Sequence, residues 1–254
     1  MKCYLINMDR STERLARMEK LFTELGIAFE RVAAVDGRLI TDAEMAELVW
    51  QRPDEPAMTR SEVGCYLSHR KCFELIAEGE TDYAAIFEDD ATLSPAIADW
   101  LQNSAWLPRD ADIIKLETTG CKVLTDKPIH RSSDGRVVAR LLSTHNCTAG
   151  YIISKRCATR LWHETAYVTT GIDELLFNPD YGLFAELIVY QISPALCKQV
   201  MIQSTIDRYE VPRARPFARI MREGIRPFRQ AAEQMWRAWI KMRYTQSWNR
   251  IPFV

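Results

Sequence analysis

The chain has 254 residues, of which 47% are hydrophobic and 26% are charged, and its formal net charge at pH 7 is −1. These values are typical of a globular protein with a substantial core, and they exclude a collagen-like or disordered chain. The length fits one α/β domain with an appendage, or two small domains.

The basic residues are concentrated near the C-terminus. Residues 206–254 contain eleven Lys or Arg against four Asp or Glu, whereas residues 1–205 contain 22 against 30. The pattern predicts an acidic domain at 1–205 and a basic, aromatic-rich helical extension at 206–254. Within that extension, prolines break the first part and residues 229–243 can form a helix.

The seven cysteines are scattered and form no CxxC pair, so the sequence indicates neither a disulfide framework nor a structural zinc site. The N-terminal apolar run is too short for a secretory signal, and no stretch approaches the length of a membrane span. We therefore expect a cytoplasmic protein.

Hydrophobic periodicity predicts alternating strands and helices. The predicted strands are residues 3–7, 27–37, 83–87, 111–117 and 147–154. Predicted helices are residues 9–25, two segments that begin at the capping boxes 41–44 and 59–62, a segment after Ser154, and residues 171–178. This order favours a mostly parallel sheet with helices on its faces.

Two further segments have weaker patterns. Residues 118–145 are rich in turn residues, so we predict an irregular insertion with a possible hairpin at 134–135. Residues 183–199 show strand-like alternation.

Three adjacent carboxylates, Glu88, Asp89 and Asp90, follow the predicted strand 83–87. In an open α/β sheet the ligand crevice lies beyond the carboxyl ends of the strands. If the extended geometry continues, Glu88 and Asp90 project to one side and Asp89 to the other. Oxygen ligands favour Mg²⁺ or Mn²⁺, so a cation site is one interpretation and a solvated acidic turn is the alternative.

Three polar residues lie in segments that are otherwise apolar. Glu62 and His69 fall on the apolar face of the predicted helix 59–79, where they are either a structural pair or support for a ligand site. Lys115 lies within an apolar strand and needs a partner, which a carboxylate near the acidic cluster would supply. Cys147, close to His145, is interpreted as a core residue.

Successive blocks of the chain resemble those of glycosyltransferase family 25. The matching blocks are "INMDRSTERLARMEKLFTELGIAFERVAAVDGR", "TRSEVGCYLSHRKCFELI", "AAIFEDDATL", "DIIKLE", "TAGYIISKRCATRL" and "GIDELL". The family includes bacterial lipooligosaccharide glycosyltransferases, notably β-galactosyltransferases, and collagen galactosyltransferase domains. The resemblance covers roughly residues 1–200.

The resemblance implies an α/β fold of the GT-A type (Rossmann-like), a nucleotide-sugar donor such as UDP-galactose, Mn²⁺ or Mg²⁺, and inversion at the anomeric carbon. The acidic block corresponds to the family's DxD-like motif, with Asp90 as a metal ligand. Glu88 stands where a DxD motif has its first Asp, and it binds either the metal or the donor.

Further site residues follow from the same resemblance. Asp173 is the first candidate for the catalytic base and Glu174 the second. The donor-binding candidates are Asn7, Asp9, Arg10, Arg14, Glu62, His69, Glu88, Asp89 and Lys115. The alternative interpretation is that Asp9 caps a helix and that the Arg14 guanidinium is solvated.

The C-terminal segment carries a separate hypothesis. Trp236, Trp239 and Ile240 lie at helical spacing beside basic residues, so a helix within 212–254 can lie on an anionic membrane surface or dock on the acidic body. We expect a glycolipid or oligosaccharide acceptor, no nucleic acid, and a location in the cytoplasm or on the inner face of the membrane. The rival interpretations are a metal-dependent nucleotidyl- or phosphotransferase and a non-catalytic membrane-binding module.

Overall fold

The computed structural model describes residues 1–50, 57–180, 182–200 and 247–254. The strands are β1 (Lys2–Asn7), β2 (Glu30–Ala33), β3 (Tyr83–Glu88), β4 (Ala91–Leu93), β5 (Ile113–Lys115), β6 (Lys122–Arg131), β7 (Val137–Leu141), β8 (Gly150–Ser154), β9 (Val189–Ser193), β10 (Cys197–Gln199) and β11 (Ser247–Arg250). The α-helices are α1 (Thr12–Glu24), α2 (Asp42–Leu48), α3 (Arg60–Glu78), α4 (Ile97–Gln102), α5 (Lys155–Glu164), α6 (Ile172–Phe177) and α7 (Gly182–Glu186).

Local sequence signals set the helix ends where they were predicted. Both capping boxes form, because the Thr41 and Thr59 hydroxyls accept from backbone N–H groups and the glutamates three residues later bind back. The Ser154 hydroxyl accepts from Cys157 N and begins α5. After α1, Gly26 adopts φ 64°, the left-handed conformation that ends many helices.

Among the described residues, nine strands form one sheet in the order β11-β6-β7-β9-β5-β8-β3-β1-β2. Strands β1, β2, β3, β5, β6 and β9 run in one direction, so the predicted parallel character is confirmed for most of the strands. However, β7, β8 and β11 run the opposite way. Five of the eight neighbouring pairs are therefore antiparallel, and the sheet is mixed.

The sheet carries helices on both faces, which confirms the predicted α/β class. Alternate residues of β1 enter different cores: Tyr4 and Ile6 pack with α3, α5 and α6, whereas Cys3 and Leu5 pack with α1 and α4. Both faces of the central strands are therefore buried, as their apolar composition requires.

The expectation of an irregular insertion at 118–145 is wrong. This segment forms β6 and β7, a hairpin that joins the sheet through β9. The predicted turn at 134–135 is present, with Gly135 at φ 83° and a hydrogen bond from Ser132 N to Arg136 O. The register shifts around Pro128, which interrupts the alternation that would have indicated a strand.

The predicted C-terminal extension needs a correction at its end. Residues 247–250 form β11, which pairs with β6, and Pro252 O accepts a hydrogen bond from Ala195 N. Residues 247–250 therefore belong to the same sheet as the body, and the residues after them contact it. The predicted boundary at 206–212 and the helix at 229–243 lie outside the described residues. In the described part of the chain, no helix is long and apolar enough to span a bilayer.

Candidate functional site

A cleft opens at the carboxyl ends of the neighbouring parallel strands β1 and β3, beside the first half of α3. Its empty volume is about 820 Å³, including the part open to solvent. The walls come from residues 6–8 after β1, residues 34–37 after β2, the α3 face and the acidic cluster. Seven predicted site residues line it: Asn7, Arg10, Arg14, His69, Glu88, Asp89 and Asp90.

Two glycines allow the α3 wall of the cleft to form. A Cβ atom on Gly37 would lie 2.2 Å from Arg60 O, and one on Gly64 would lie 2.7 Å from Val35 O. Because real side chains do not tolerate such approaches, the chain after β2 packs directly on the backbone of α3.

Asp89 is held by side chains from the first strand and helix. Its Oδ2 accepts from Asn7 Nδ2 at 2.7 Å, and its Oδ1 pairs with Arg14 Nη1 at 3.0 Å. Arg17 Nη2 donates to the Asp89 carbonyl at 2.7 Å. The charge of this buried carboxylate is thus neutralised within the protein, and its contacts fix the acidic cluster against β1 and α1.

Glu88 ends β3 and is tied to the opposite wall. Its Oε1 lies 3.1 Å from His69 Nε2 and also accepts from Thr148 Oγ1. The other imidazole nitrogen, Nδ1, lies 2.8 Å from the hydroxyl oxygen of Tyr151. Burial acts to raise the pKa of Glu88, but the hydrogen bonds from His69 and Thr148 and the charge of Lys115 outweigh it and lower the pKa.

Asp90 differs from its two neighbours because one of its carboxylate oxygens accepts no hydrogen bond from the described residues. Oδ1 is shielded from solvent and has no hydrogen-bond partner among the described residues. Oδ2 accepts from Gln199 Nε2 at 3.2 Å. Burial, followed by the charges of Glu88 and Asp89, raises the pKa of Asp90 to about 7.

The acidic cluster fits Mn²⁺ or Mg²⁺. A buried carboxylate oxygen without a partner is costly, and an oxygen-binding cation is the partner that its chemistry favours. Asp90 provides that oxygen, whereas Glu88 Oε1 already has two hydrogen bonds. The residues present therefore favour Asp90 over Glu88 as the principal ligand.

Arg10 and Asp9 point in different directions. Arg10 lines the cleft and pairs with Asp36 at 2.8 Å, as Arg38 does. Hydrogen bonds from Arg38, followed by those from Arg10, lower the pKa of Asp36 despite its partial burial. Asp9 is 80% exposed and pairs with Arg31 outside the cleft lining, so the structure does not bring it to the predicted site.

Two predicted donor-site residues do not reach the cleft. Glu62 was expected to face inward, but it lies in the first turn of α3 and folds back to accept from Thr59 N at 2.7 Å. Lys115 is fully buried, and its ammonium lies 3.5 Å from Glu117 and donates to the carbonyl oxygens of residues 146 and 147. The carboxylate partner predicted for Lys115 is therefore present, and it is Glu117.

The predicted base candidates bind the loop of residues 145–149, which contains Thr148. Asp173 accepts from Cys147 N at 3.1 Å, and Glu174 accepts from Asn146 Nδ2 at 2.6 Å. Both lie in the first turn of α6, as predicted, and neither lines the cleft described above. Cys147 is half-buried at φ 73°, with the pKa of its thiol raised by burial to about 12.

Sequence reasoning missed several residues that shape the site. Asp36 forms an arginine-bound carboxylate at the rim, and Thr148 and Tyr151 complete the hydrogen bonds around Glu88 and His69. Cys65 also lines the cleft, four residues before His69 on α3. That spacing places two residues on one helix face and was a readable signal, whereas Thr148 depends on long-range packing.

Carboxylates and guanidinium groups together at a sheet-end cleft are typical of an α/β enzyme that binds an anionic substrate. The model of glycosyltransferase family 25 (LPS biosynthesis protein) matches residues 1–176. The chain belongs to this family and is a glycosyltransferase. Its family implies a nucleotide-sugar donor and a sugar acceptor.

Relatives and solved structures show the range of similarity. The chain is 31% identical over 209 residues to the lacto-N-neotetraose biosynthesis glycosyltransferase LgtB of Neisseria gonorrhoeae, covering 78% of this chain and 74% of LgtB. It is 29% identical to the lipooligosaccharide biosynthesis protein lic2B of Haemophilus influenzae, covering 77% and 75%. A solved glycosyltransferase involved in glycosylation of the PBCV-1 major capsid has a TM-score of 0.46 and 9% identity, covering 80% and 93%.

Proposed function

We propose that this glycosyltransferase transfers a hexose, galactose by default, from UDP-galactose to a sugar of lipooligosaccharide or the lipopolysaccharide core. The names of its relatives in Neisseria and Haemophilus support this acceptor class. The observation that carries a metal-dependent reaction is the buried Asp90 Oδ1, which has no partner among the described residues, in a cleft that also holds Arg10 and Arg14.

In this proposal the nucleotide diphosphate lies between the arginines and the acidic cluster. Guanidinium groups match phosphate oxygens, whereas Glu88, Asp89 and Asp90 alone would repel a diphosphate. A bound Mn²⁺ or Mg²⁺ would supply the positive charge that neutralises the leaving diphosphate. Asp90 would hold this cation, and Glu88, oriented by His69 and Thr148, would bind it through water or bind the donor.

Transfer with inversion requires one displacement at the anomeric carbon. The acceptor oxygen bonds to that carbon, the bond to the diphosphate oxygen breaks, and a carboxylate takes the acceptor proton. Asp173 remains our first candidate for that base and Glu174 the second. Both carboxylates already accept hydrogen bonds from residues 146–147. To act as the base, one of them must also accept the proton of the acceptor hydroxyl.

The direct test is transfer by the purified full chain from UDP-galactose, UDP-glucose and UDP-N-acetylglucosamine to truncated lipooligosaccharides, with Mn²⁺ or with a chelator. We expect one preferred UDP-sugar, loss of transfer in chelator, and an inverted anomeric centre by NMR. Asp90→Asn should lose activity, whereas Asp99→Asn, an exposed aspartate of α4, should retain it. A retained anomeric configuration, or transfer unaffected by chelator, would contradict the proposal.

We also propose that the basic segment within 212–254 attaches the enzyme to the inner face of the cytoplasmic membrane. Its composition of Trp, Arg and Lys supports this location. Because residues 247–250 belong to the sheet, truncation would confound the test. Replacing Arg237, Lys241 and Arg243 by Gln should instead reduce flotation with anionic liposomes while transfer to a soluble acceptor persists, and unchanged flotation would exclude this segment.

A further inference from the structure

Three potential metal-binding side chains from two elements converge in the cleft. Cys65 and His69 lie one turn apart on α3, and Glu88 lies at the end of β3. The Cys65 Sγ atom, a ring nitrogen of His69 and a carboxylate oxygen of Glu88 all lie within 4.8 Å of one another. Cys65 has no disulfide partner, and all three residues line the cleft.

The spacing of these atoms is close to that of a tetrahedral site. Zinc binds sulfur at about 2.3 Å and nitrogen or oxygen at about 2.0–2.2 Å, so its ligand atoms lie about 3–4 Å apart. His69 Nε2 and Glu88 Oε1 are already 3.1 Å apart. The ligand atoms all lie within 4.8 Å of one another, so the side chains must approach further to reach the spacing of a zinc site.

The surroundings supply the outer contacts that metal sites need. The His69 ring is fixed through Nδ1, which lies 2.8 Å from the Tyr151 hydroxyl oxygen. Thr148 donates to Glu88 Oε1, and the Asp90 carboxylate in the same cleft adds negative charge that favours a cation. Three protein ligands leave a fourth position for water.

The donor atoms distinguish this site from the Mn²⁺ or Mg²⁺ site at Asp90. A thiolate and an imidazole favour zinc-like cations, whereas Mg²⁺ and Mn²⁺ prefer oxygen ligands. We propose that Cys65, His69 and Glu88 form a site for Zn²⁺ or a similar borderline-soft divalent cation. Because Glu88 is shared with the donor site, zinc and the nucleotide sugar exclude each other, a consequence that rests on the proposed function.

Proton positions balance in this binding step. The Cys65 thiol loses its proton to solvent and becomes the thiolate ligand. In the tautomer that carries the proton on Nε2, His69 donates to Glu88 and its Nδ1 accepts from Tyr151. With a metal on Nε2, the ring proton would lie on Nδ1 and would be donated to the Tyr151 oxygen, whose hydroxyl proton would rotate away from the ring.

The test uses Co²⁺ as a spectroscopic probe of the full chain, because a cobalt–thiolate bond gives a near-ultraviolet charge-transfer band. We expect this band in the wild type and in Cys121→Ser, which removes an exposed cysteine outside the cleft, and its loss in Cys65→Ser. Added Zn²⁺ should abolish the band by displacement. Absence of the band in wild type, or its persistence in Cys65→Ser, would overturn the site.

A second measurement covers the case in which Cys65→Ser does not fold. Zn²⁺ should protect Cys65 of the wild type from alkylation, as mapped by mass spectrometry, while alkylation of Cys121 continues. Equal labelling of Cys65 with and without Zn²⁺ would overturn the site.

Mutual exclusion is tested separately. Zn²⁺ should inhibit transfer at fixed Mn²⁺, with inhibition relieved by more donor and with at least a tenfold higher inhibitory concentration in Cys65→Ser, each variant being scaled to its own zinc-free rate. Cobalt binding without zinc inhibition would refute the exclusion alone. Cobalt binding in a protein that transfers no sugar would instead refute the proposed function and leave the site standing.

Discussion

At the scale of single residues, the acidic cluster shows how three adjacent carboxylates acquire different properties. Asp89 is neutralised by Arg14 and Asn7, Glu88 is stabilised by His69 and Thr148, and Asp90 retains a buried oxygen without a partner in the described structure. The free-energy cost of burying three adjacent carboxylates therefore falls mainly on Asp90. Binding of a cation to Asp90 would remove this cost.

This cost predicts that Asp90 destabilises the metal-free fold. Its pKa is raised from 3.8 to about 7, so between these values the folded protein keeps a proton that the unfolded chain has released. The free energy of unfolding therefore falls as pH rises through this range. In chelator at pH 8, Asp90→Asn should raise the free energy of unfolding by on the order of 1–2 kcal/mol in urea titrations.

The matched control for this stability effect is Asp99→Asn, which should change stability little at either pH. At pH 4 the gain from Asp90→Asn should disappear, because Asp90 is then protonated in the folded protein. A destabilised Asp90→Asn protein at pH 8 would contradict the assignment of strain to this carboxylate.

His145 predicts the opposite pH dependence. Its Nδ1 bonds to Gln191 at 2.8 Å and its Nε2 accepts from Thr119 N at 3.3 Å, so the neutral ring fits. Burial, followed by the charge of Lys115, lowers the pKa of His145 from 6.5 to about 3. As pH falls from 6.5 towards 3, the unfolded chain takes up a proton that the fold excludes, so stability is lost.

We expect this loss to be on the order of 2 kcal/mol and to be reduced in His145→Gln. Urea unfolding measured between pH 7 and pH 4 checks it, with the exposed His163→Gln as the control that should retain the wild-type slope. Equal slopes in wild type and His145→Gln would show that His145 does not resist protonation.

At the scale of elements, the site depends on how one buried ion pair holds the loop before β8. Lys115 of β5 contacts Glu117 and the carbonyl oxygens of residues 146 and 147, and Glu117 accepts from Ala149 N at 3.0 Å. This loop presents Thr148 to Glu88. Lys115, which we predicted to bind the donor, therefore holds the loop that carries Thr148.

Lys115→Met should lower the free energy of unfolding by about 3–5 kcal/mol, because it leaves Glu117 and two carbonyl oxygens buried without their donor. Exposed Lys122→Met is the control and should change stability by less than about 0.5 kcal/mol. Chemical denaturation measures both. A Lys115→Met protein as stable as the control would show that the ion pair does not hold this loop.

Elements with local signals were predictable, and elements fixed by distant partners were not. The capping threonines at 41 and 59 fixed two helix starts, because each signal involves residues only three positions apart. The same capping interaction explains why the prediction that Glu62 faces inward was wrong. Helical periodicity gives the face on which a residue lies, but it does not account for a side chain that folds back to the backbone of the first turn. Strand β6 was missed because its pairing with β7 and β11 depends on a bulged register near Pro128.

At the scale of the whole molecule, the last residues return to the body. Thr118 Oγ1 donates to Ile251 O at 2.7 Å, and the buried Arg136 donates to Val254 O at 2.9 Å. The count of charged residues along the sequence led us to assign these last residues to a separate basic extension. It could not detect a strand pairing with a segment more than a hundred residues earlier.

Deletion of residues 247–254 should therefore destabilise the body, because β6 loses a neighbour and Arg136 loses an acceptor. We expect a loss on the order of 2–4 kcal/mol, seen as a lower midpoint in thermal unfolding. Val254→Ala, which keeps the backbone carbonyl, should have wild-type stability. An unchanged midpoint on deletion would show that this strand does not contribute to the fold.

Isothermal calorimetry of UDP with and without Mn²⁺ measures whether the nucleotide binds to this protein and whether a cation mediates the binding. We expect Mn²⁺-dependent binding to the wild type and to Asp99→Asn, and at least a tenfold weaker affinity for Asp90→Asn, because the amide lacks the negative charge and one of the two carboxylate oxygens that would hold the cation. UDP binding that is unaffected by Mn²⁺ or by Asp90→Asn would contradict the account, as would no binding under either condition.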